Sequence, residues 1–190
     1  PTDIHVDSGT GQITVTDWIG RVVEMDDITG AGAVEWDNAG TLQNPYGIAK
    51  DSSSRIYVID WGTDLLYNID DIGGSGYVEY DGGAPVFQDA RAVAVDSLDR
   101  IYVVDRINLV VYRFDNMAGD NQVIYDGGAL PFQNPISVFV GPDDRIYVTD
   151  TDRQILYRFD DMTGANQVTY DGSAGNIFES PEDVFVRVKP

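Results

Sequence analysis

The chain repeats itself, and the repeat decides what it can fold into. Asp51–Trp61 (DSSSRIYVIDW), Asp96–Arg106 (DSLDRIYVVDR) and Gly141–Thr151 (GPDDRIYVTDT) are near copies, and Asp7–Trp18 (DSGTGQITVTDW) is a longer relative. A short apolar run opens each unit at Ile4, Ile48, Val93 and Val138, and another begins at Val184, so successive starts fall 44 to 46 positions apart. A fixed period of this size means that one unit stacks on the next. Function then sits on loops, not in one contiguous motif.

Each unit carries four short runs. The first are Ile4–Val6, Ile48–Lys50, Val93–Val95 and Val138–Val140; the second are Ile13–Thr16, Ile56–Ile59, Ile101–Val104 and Ile146–Thr149. The third are Val22–Met25, Leu65–Ile69, Val110–Phe114 and Ile155–Phe159; the fourth are Ala33–Trp36, Tyr77–Tyr80, Gln122–Tyr125 and Gln167–Tyr170. Val, Ile, Tyr and Phe dominate them, which suits a pleated surface, and Gly, Asp, Asn, Ser and Pro stand between them as turn residues. No window has helical spacing of apolar residues. Four strands in about 45 residues match one blade of a β-propeller. We therefore expect an all-β propeller of four-stranded antiparallel blades within one domain, residues 1–190. The repeats are approximately 1–44, 45–89, 90–134 and 135–180, with an extra terminal strand in 181–190.

Charge narrows the partners. Asp supplies 27 acidic residues and Glu five, and the net charge is −20. Such a field repels nucleic acid and anionic membranes, and no apolar stretch approaches a membrane span. Most of the aspartates stand at strand ends, where the side chain accepts backbone hydrogen bonds. The chain has no cysteine, which leaves the compartment open. It opens at Pro1, a place matched by Pro45, Pro135 and Pro181, and lacks an initiator methionine, so we expect a mature or trimmed product.

Chemistry-bearing motifs are missing. The one histidine, His5, is matched by Ala49, Ala94, Phe139 and Phe185, which marks a packing position. The EF-hand, P-loop, dinucleotide and nucleophile-elbow patterns find no match. The neighbouring aspartates Asp26/Asp27, Asp70/Asp71 and Asp160/Asp161 would point to opposite sides of a strand, which does not suit a catalytic dyad. Asp17, Asp60, Asp105 and Asp150 close the second run in every unit, and one copy per blade suits turn hydrogen bonding. Arg55, Arg100 and Arg145 recur three times, which suggests a structural pairing with a nearby aspartate. Tyr80, Tyr125, Tyr170 and Trp36 end the outermost run and read as inter-blade packing or rim residues.

The stretch Pro135-Ile-Ser-Val-Phe-Val-Gly-Pro-Asp-Asp-Arg-Ile-Tyr-Val-Thr-Asp150 resembles the repeat of the NHL family of β-propellers, with Gly141 in place of the usual Asp. Tyr157–Val168 (YRFDDMTGANQV) is similar to bacterial members. The resemblance covers essentially the whole chain. It implies a propeller that serves as an interaction scaffold, since most such propellers do; a minority are enzymes, among them a metal-using amidating lyase. NHL-like rings usually have six blades, more than four repeats supply.

Blade geometry says where a site should lie. With strands A to D running outward, the B–C turns and D–A connectors open on one face. This face collects Trp18, Trp61, Arg106 and Arg153 from the turns, and Tyr46 and Arg91 from the connectors. Aromatics with both charge signs suit a binding surface. The opposite loops are nearly uniform. We expect a non-enzymatic binding or assembly module for a protein or glycan, without catalytic or metal residues and without a required cofactor. A divalent cation in the central channel is the one cofactor option. The alternatives are a divalent-metal-dependent hydrolase or lyase using channel carboxylates, and an architectural subunit of a surface assembly. The expected location is extracellular or periplasmic. Either further blades on sequence beyond these 190 residues or pairing of the terminal strands with another chain, such as a second copy, would close what four repeats leave open.

Overall fold

The computed structural model describes residues 1–172 and 178–186. Its strands form four blades. The first holds β1 (Asp3–Val6), β2 (Ile13–Asp17), β3 (Arg21–Met25) and β4 (Val34–Trp36); the second β5 (Pro45–Lys50), β6 (Ile56–Asp60), β7 (Leu65–Ile69) and β8 (Val78–Tyr80). The third holds β9 (Ala90–Val95), β10 (Ile101–Asp105), β11 (Val110–Phe114) and β12 (Val123–Tyr125); the fourth β13 (Pro135–Val140), β14 (Ile146–Asp150), β15 (Ile155–Phe159) and β16 (Val168–Tyr170). Within each blade the strands follow chain order and pair antiparallel. The one helical element among the described residues is a 3₁₀ turn, Asn38–Gly40. Among the described residues no helix is long and apolar enough to cross a membrane.

The blades stack face to face through the inner strands, β1 on β5, β5 on β9 and β9 on β13. Alternate residues of one strand therefore serve two interfaces. Val58 and Tyr67 pack toward Val22 and Trp36 of the first blade, while Tyr57 and Ile59 pack toward Val103 and Tyr112 of the third. Tyr102 and Val104 meet Val148 and Tyr157 in the same way. This is why β6 and β10 are buried along their whole length and read as unbroken apolar runs.

Recurring polar residues hold the turns. Asp51 takes the Arg55 Nε at 2.6 Å and the Tyr57 hydroxyl at 3.1 Å; Asp96 takes Arg100 at 2.6 Å and Tyr102 at 3.0 Å. Gly141 removes that carboxylate in the fourth blade, and Arg145 turns to Asp143 at 2.7 Å and Asp160 at 3.2 Å. The aspartates of the C–D loops serve their own turns: Asp27 and Asp161 accept the backbone N–H of Thr29 and Thr163.

Two features differ from the sequence expectation. The inner strands start at Pro45, Ala90 and Pro135, ahead of the apolar runs, because a register shift near each start lets the chain reach the B strand early. Proline at two of these starts withholds no ladder donor that a strand interior would need. The expected terminal strand is the second difference. Pro181–Val186 forms no strand, and among the described residues none pairs with it; 187–190 lie outside them. The segment nevertheless follows the fourth blade's inner strand. The Ser137 hydroxyl donates to Asp183 at 2.9 Å and the rings of Phe139 and Phe185 are 5.5 Å apart.

Candidate functional site

The strand-end aspartates build the face on which the expected residues stand. Asp60 accepts backbone N–H groups of Gln43 (2.7 Å), Asn44 (3.0 Å) and Gly62 (2.8 Å). Asp105 accepts those of Gln88 (2.6 Å), Ile107 (3.0 Å) and Asn108 (2.8 Å), and Asp150 those of Gln133 (2.7 Å), Asn134 (3.1 Å) and Arg153 (3.0 Å). Each carboxylate, fully buried, ties the incoming D–A connector to the B–C turn. Burial pushes the Asp105 carboxyl above its ordinary value against these donors. The first blade does this differently: Asp17 pairs with Arg21 at 3.1 Å.

On this scaffold three blades bring four of the expected residues together. The Trp18 ring, in the β2–β3 turn, lies 5.2 Å from that of Trp61 in the β6–β7 turn, and 6.5 Å from that of Tyr46 at the start of β5. Arg91, near the start of β9, places its guanidinium carbon 4.3 Å from the Trp61 ring centre and 5.1 Å from that of Tyr46. Arg91 pairs with Asp89, which also holds Arg106 at 2.6 Å. Asp89 sits at φ +77°, and its backbone N–H donates to Asp64 at 2.7 Å. Trp18 keeps 45% of its surface exposed, so the group ends in an open indole.

Arg153 is not part of this group. It stands in the fourth blade, where its Nε donates to the Pro131 carbonyl at 2.5 Å. Sequence reasoning also underrated Asp89. The signal was a departure from the repeat: Asp89, Arg91 and Arg106 stand where the second blade has Asn44, Tyr46 and Trp61.

Two concavities lie elsewhere. The inner strands enclose a central cavity of about 530 Å³ lined by Asp3, His5, Lys50, Ser137 and Asp183 among others. Burial first, and then the nearby Asp183 charge, raises the Asp3 carboxyl to about 6 against hydrogen bonds from Ile48 and Ile4. Burial lowers the His5 imidazole, as does Lys50. Among the described residues no three His, Cys, Asp or Glu side chains converge to hold a metal ion. A cleft of about 370 Å³ on the opposite face is lined by Arg55, Asn68, Asp115 and Met117. No sequence pattern had pointed to it.

Four antiparallel four-stranded sheets stacked through their inner strands define a β-propeller-like protein. Solved structures agree. The chain is similar to streptogramin B lyase (TM-score 0.67, 19% identity, 91% of this chain and 55% of that one). It is similar to a catalytically inactive His-to-Ala variant of virginiamycin B lyase from Staphylococcus aureus with quinupristin (TM-score 0.68, 15% identity, 88% and 54%). It is also similar to a chain of the nidogen/laminin complex (TM-score 0.66, 18% identity, 84% and 59%). The chain thus spans a little over half of each of these relatives. No family model matches it, and no curated protein matches it in sequence.

Proposed function

We propose that this protein is a non-enzymatic, NHL-like propeller module that binds a protein or glycan partner through the face bearing Trp18, Trp61, Tyr46, Arg91 and Arg106. One observation carries the reading: two Trp, one Tyr and one Arg from three blades converge into a single cluster whose Trp18 ring is open to solvent. Aromatic and Arg side chains supply most of the energy at binding surfaces, and a pre-packed cluster loses little entropy when a partner docks. Asp89 fixes Arg91 and Arg106, so the platform is pre-organised. A fold neighbour from the nidogen/laminin complex is in keeping with a protein partner. Arg153 lies at the edge of the same face as a secondary contact. The test is affinity capture from an extracellular extract together with a glycan array. Wild type and Trp18→Ala are compared in both, and partners that the variant loses mark the site.

A second reading, a divalent-metal-dependent hydrolase or lyase, is favoured by one observation: Asp3 and His5 line the central cavity and Asp3 has a raised carboxyl. Equilibrium dialysis with zinc and calcium, followed by metal analysis of wild type and Asp3→Asn, tests it. Stoichiometric metal lost in the variant would support this reading over the first.

A further inference from the structure

The cleft on the face away from Trp18 lies between the second and third blades, each of which has another blade on its far side. Its walls are Arg55, Asn68 and Val78 of the second blade and Asp115, Asn116 and Met117 of the third. Two departures from the repeat make it. The first is in size. Asn68 pairs across the sheet with Tyr57, and the matching positions in the other blades are Glu24, Arg113 and Arg158. Glu24 reaches the buried ammonium of Lys50 at 2.5 Å, which closes the junction of the first two blades. Arg113 stands at the junction of the third and fourth, where Met162 is 8% exposed. Met117, the counterpart of Met162, is only half-buried. The shorter asparagine leaves an opening of about 370 Å³, within the range of small-molecule sites.

The second departure is in charge. The C–D loops of the other three blades place Asp27, Asp71 and Asp161 where the third has Asn116. The turn does not need the carboxylate, because Asn116 Oδ1 accepts the Ala118 N–H at 2.9 Å as Asp161 accepts that of Thr163 at 2.8 Å. Its loss leaves one charge of each sign on the two walls. Arg55 donates Nε to Asp51 at 2.6 Å, and its Nη groups have no hydrogen-bond partner among the described residues. Asp115 accepts the Asn121 amide on Oδ2 at 2.7 Å, while Oδ1 lies 3.9 Å from Arg113, beyond hydrogen-bond reach. Both side chains stay partly open to solvent, 41% for Arg55 and 36% for Asp115.

We propose that this cleft binds a small zwitterion, an α-amino acid with an apolar side chain. The carboxylate meets the Nη edge of Arg55, the ammonium meets Asp115, and the side chain lies between Val78 and Met117. Guanidinium forks suit carboxylates, and a bond between charged groups is about twice as strong as a neutral one. The two walls decide the class of ligand. A plain anion would leave Asp115 opposed and would enter against the net charge of −20. A plain cation would face Arg55. A zwitterion answers both walls and carries no net charge for the field to repel. The opening is too small for a folded partner, and the site is independent of the Trp18 face.

Titration of the full chain, followed by amide chemical shifts in nuclear magnetic resonance, tests this with L-leucine, L-methionine and L-phenylalanine. At least one should give saturable shifts at Asn68 and in the loop from Asp115 to Ala118. For that amino acid, the amide that lacks the carboxylate and the N-acetyl form that lacks the ammonium should each bind at least about tenfold more weakly, the loss expected when a charge-assisted bond is removed. Asn68→Arg restores the residue type of the third and fourth blades and should abolish binding, with the fold checked by circular dichroism; Trp18→Ala should leave binding unchanged. The proposal is overturned if none of the three amino acids gives saturable shifts at the cleft. It is equally overturned if the amide and N-acetyl forms bind as well as the free amino acid, or if folded Asn68→Arg binds as wild type does.

Discussion

The Arg91 guanidinium carbon lies over the Trp61 ring, 4.3 Å from its centre, and fills the aromatic face that a cationic ligand would otherwise use. Asp89 holds the same guanidinium from the side. Arg91 is thus a structural cation at the heart of the platform, and the open surface is left to Trp18. Arg91→Ala should destabilise the protein by roughly 2–4 kcal/mol, because it removes the stack and leaves the Asp89 carboxylate with one partner fewer in a largely buried place. Urea unfolding followed by tryptophan fluorescence measures this. A loss no larger than that of an exposed substitution such as Ile28→Ala would contradict it.

Asp105 is buried without loss of donors: four bonds reach its carboxylate, three from backbone N–H groups and one from the Asn108 side chain at 3.1 Å. Asp105→Ala orphans those donors and should cost roughly 2–4 kcal/mol of stability, while leaving the Trp18–Trp61 platform of the neighbouring blades competent to bind once folded. Unchanged thermal stability together with lost binding would assign Asp105 to the site instead.

Two glycines of the C–D loops permit a controlled comparison. Gly164 and Gly30 have similar positive φ, +76° and +81°, so alanine brings similar backbone strain at both. Only at Gly164 does the new methyl meet a ring. Gly164→Ala should therefore cost about 1–3 kcal/mol more than Gly30→Ala, the usual penalty of forcing a group into a packed seat. Equal losses in chemical denaturation would show that the seat is not selective.

Much of this was legible in the sequence, because a 44–46 residue period fixes strand number and order before any side chain is placed. Asp60, Asp105 and Asp150 do accept the turn hydrogen bonds that their recurrence suggested, and Arg55 and Arg100 do pair with nearby aspartates, whereas Asp17 pairs with Arg21. What period alone does not tell is which residues of different blades meet. Tyr46 and Arg91 are a full repeat apart in sequence and in contact in space, while Arg153, grouped with them by position, is held away by Pro131. The terminal run read as a strand from its Val–Phe–Val pattern, but a strand needs a neighbour to pair with, and the pattern does not supply one.

Acidity acts through Asp3 in a direction opposite to the exposed loop aspartates Asp7, Asp27 and Asp71. Its carboxyl is raised from 3.8 to about 6, chiefly by burial, so the folded protein binds the proton more tightly than the unfolded chain. The stabilisation this gives is complete below the ordinary value and is lost as pH rises through about 6. Asp7, Asp27 and Asp71 are lowered by hydrogen bonds from their own turns, so their contribution is lost as pH falls through the lowered values. Asp3→Asn isolates the first effect: relative to wild type it should gain stability as pH rises from 4.5 to 7.5. A constant difference across that range, measured by thermal unfolding, would contradict the burial of Asp3.

The most direct test of the binding account is calorimetric titration of a captured partner into three proteins: wild type, the double variant Trp18→Ala with Trp61→Ala, and Thr163→Ala in the uniform loops of the opposite face. The double variant should weaken binding at least about tenfold, or about 1.4 kcal/mol, and Thr163→Ala should leave it within about twofold. The reverse ranking, with Thr163→Ala damaging and the double variant harmless, would place the binding surface on the other face and contradict the account.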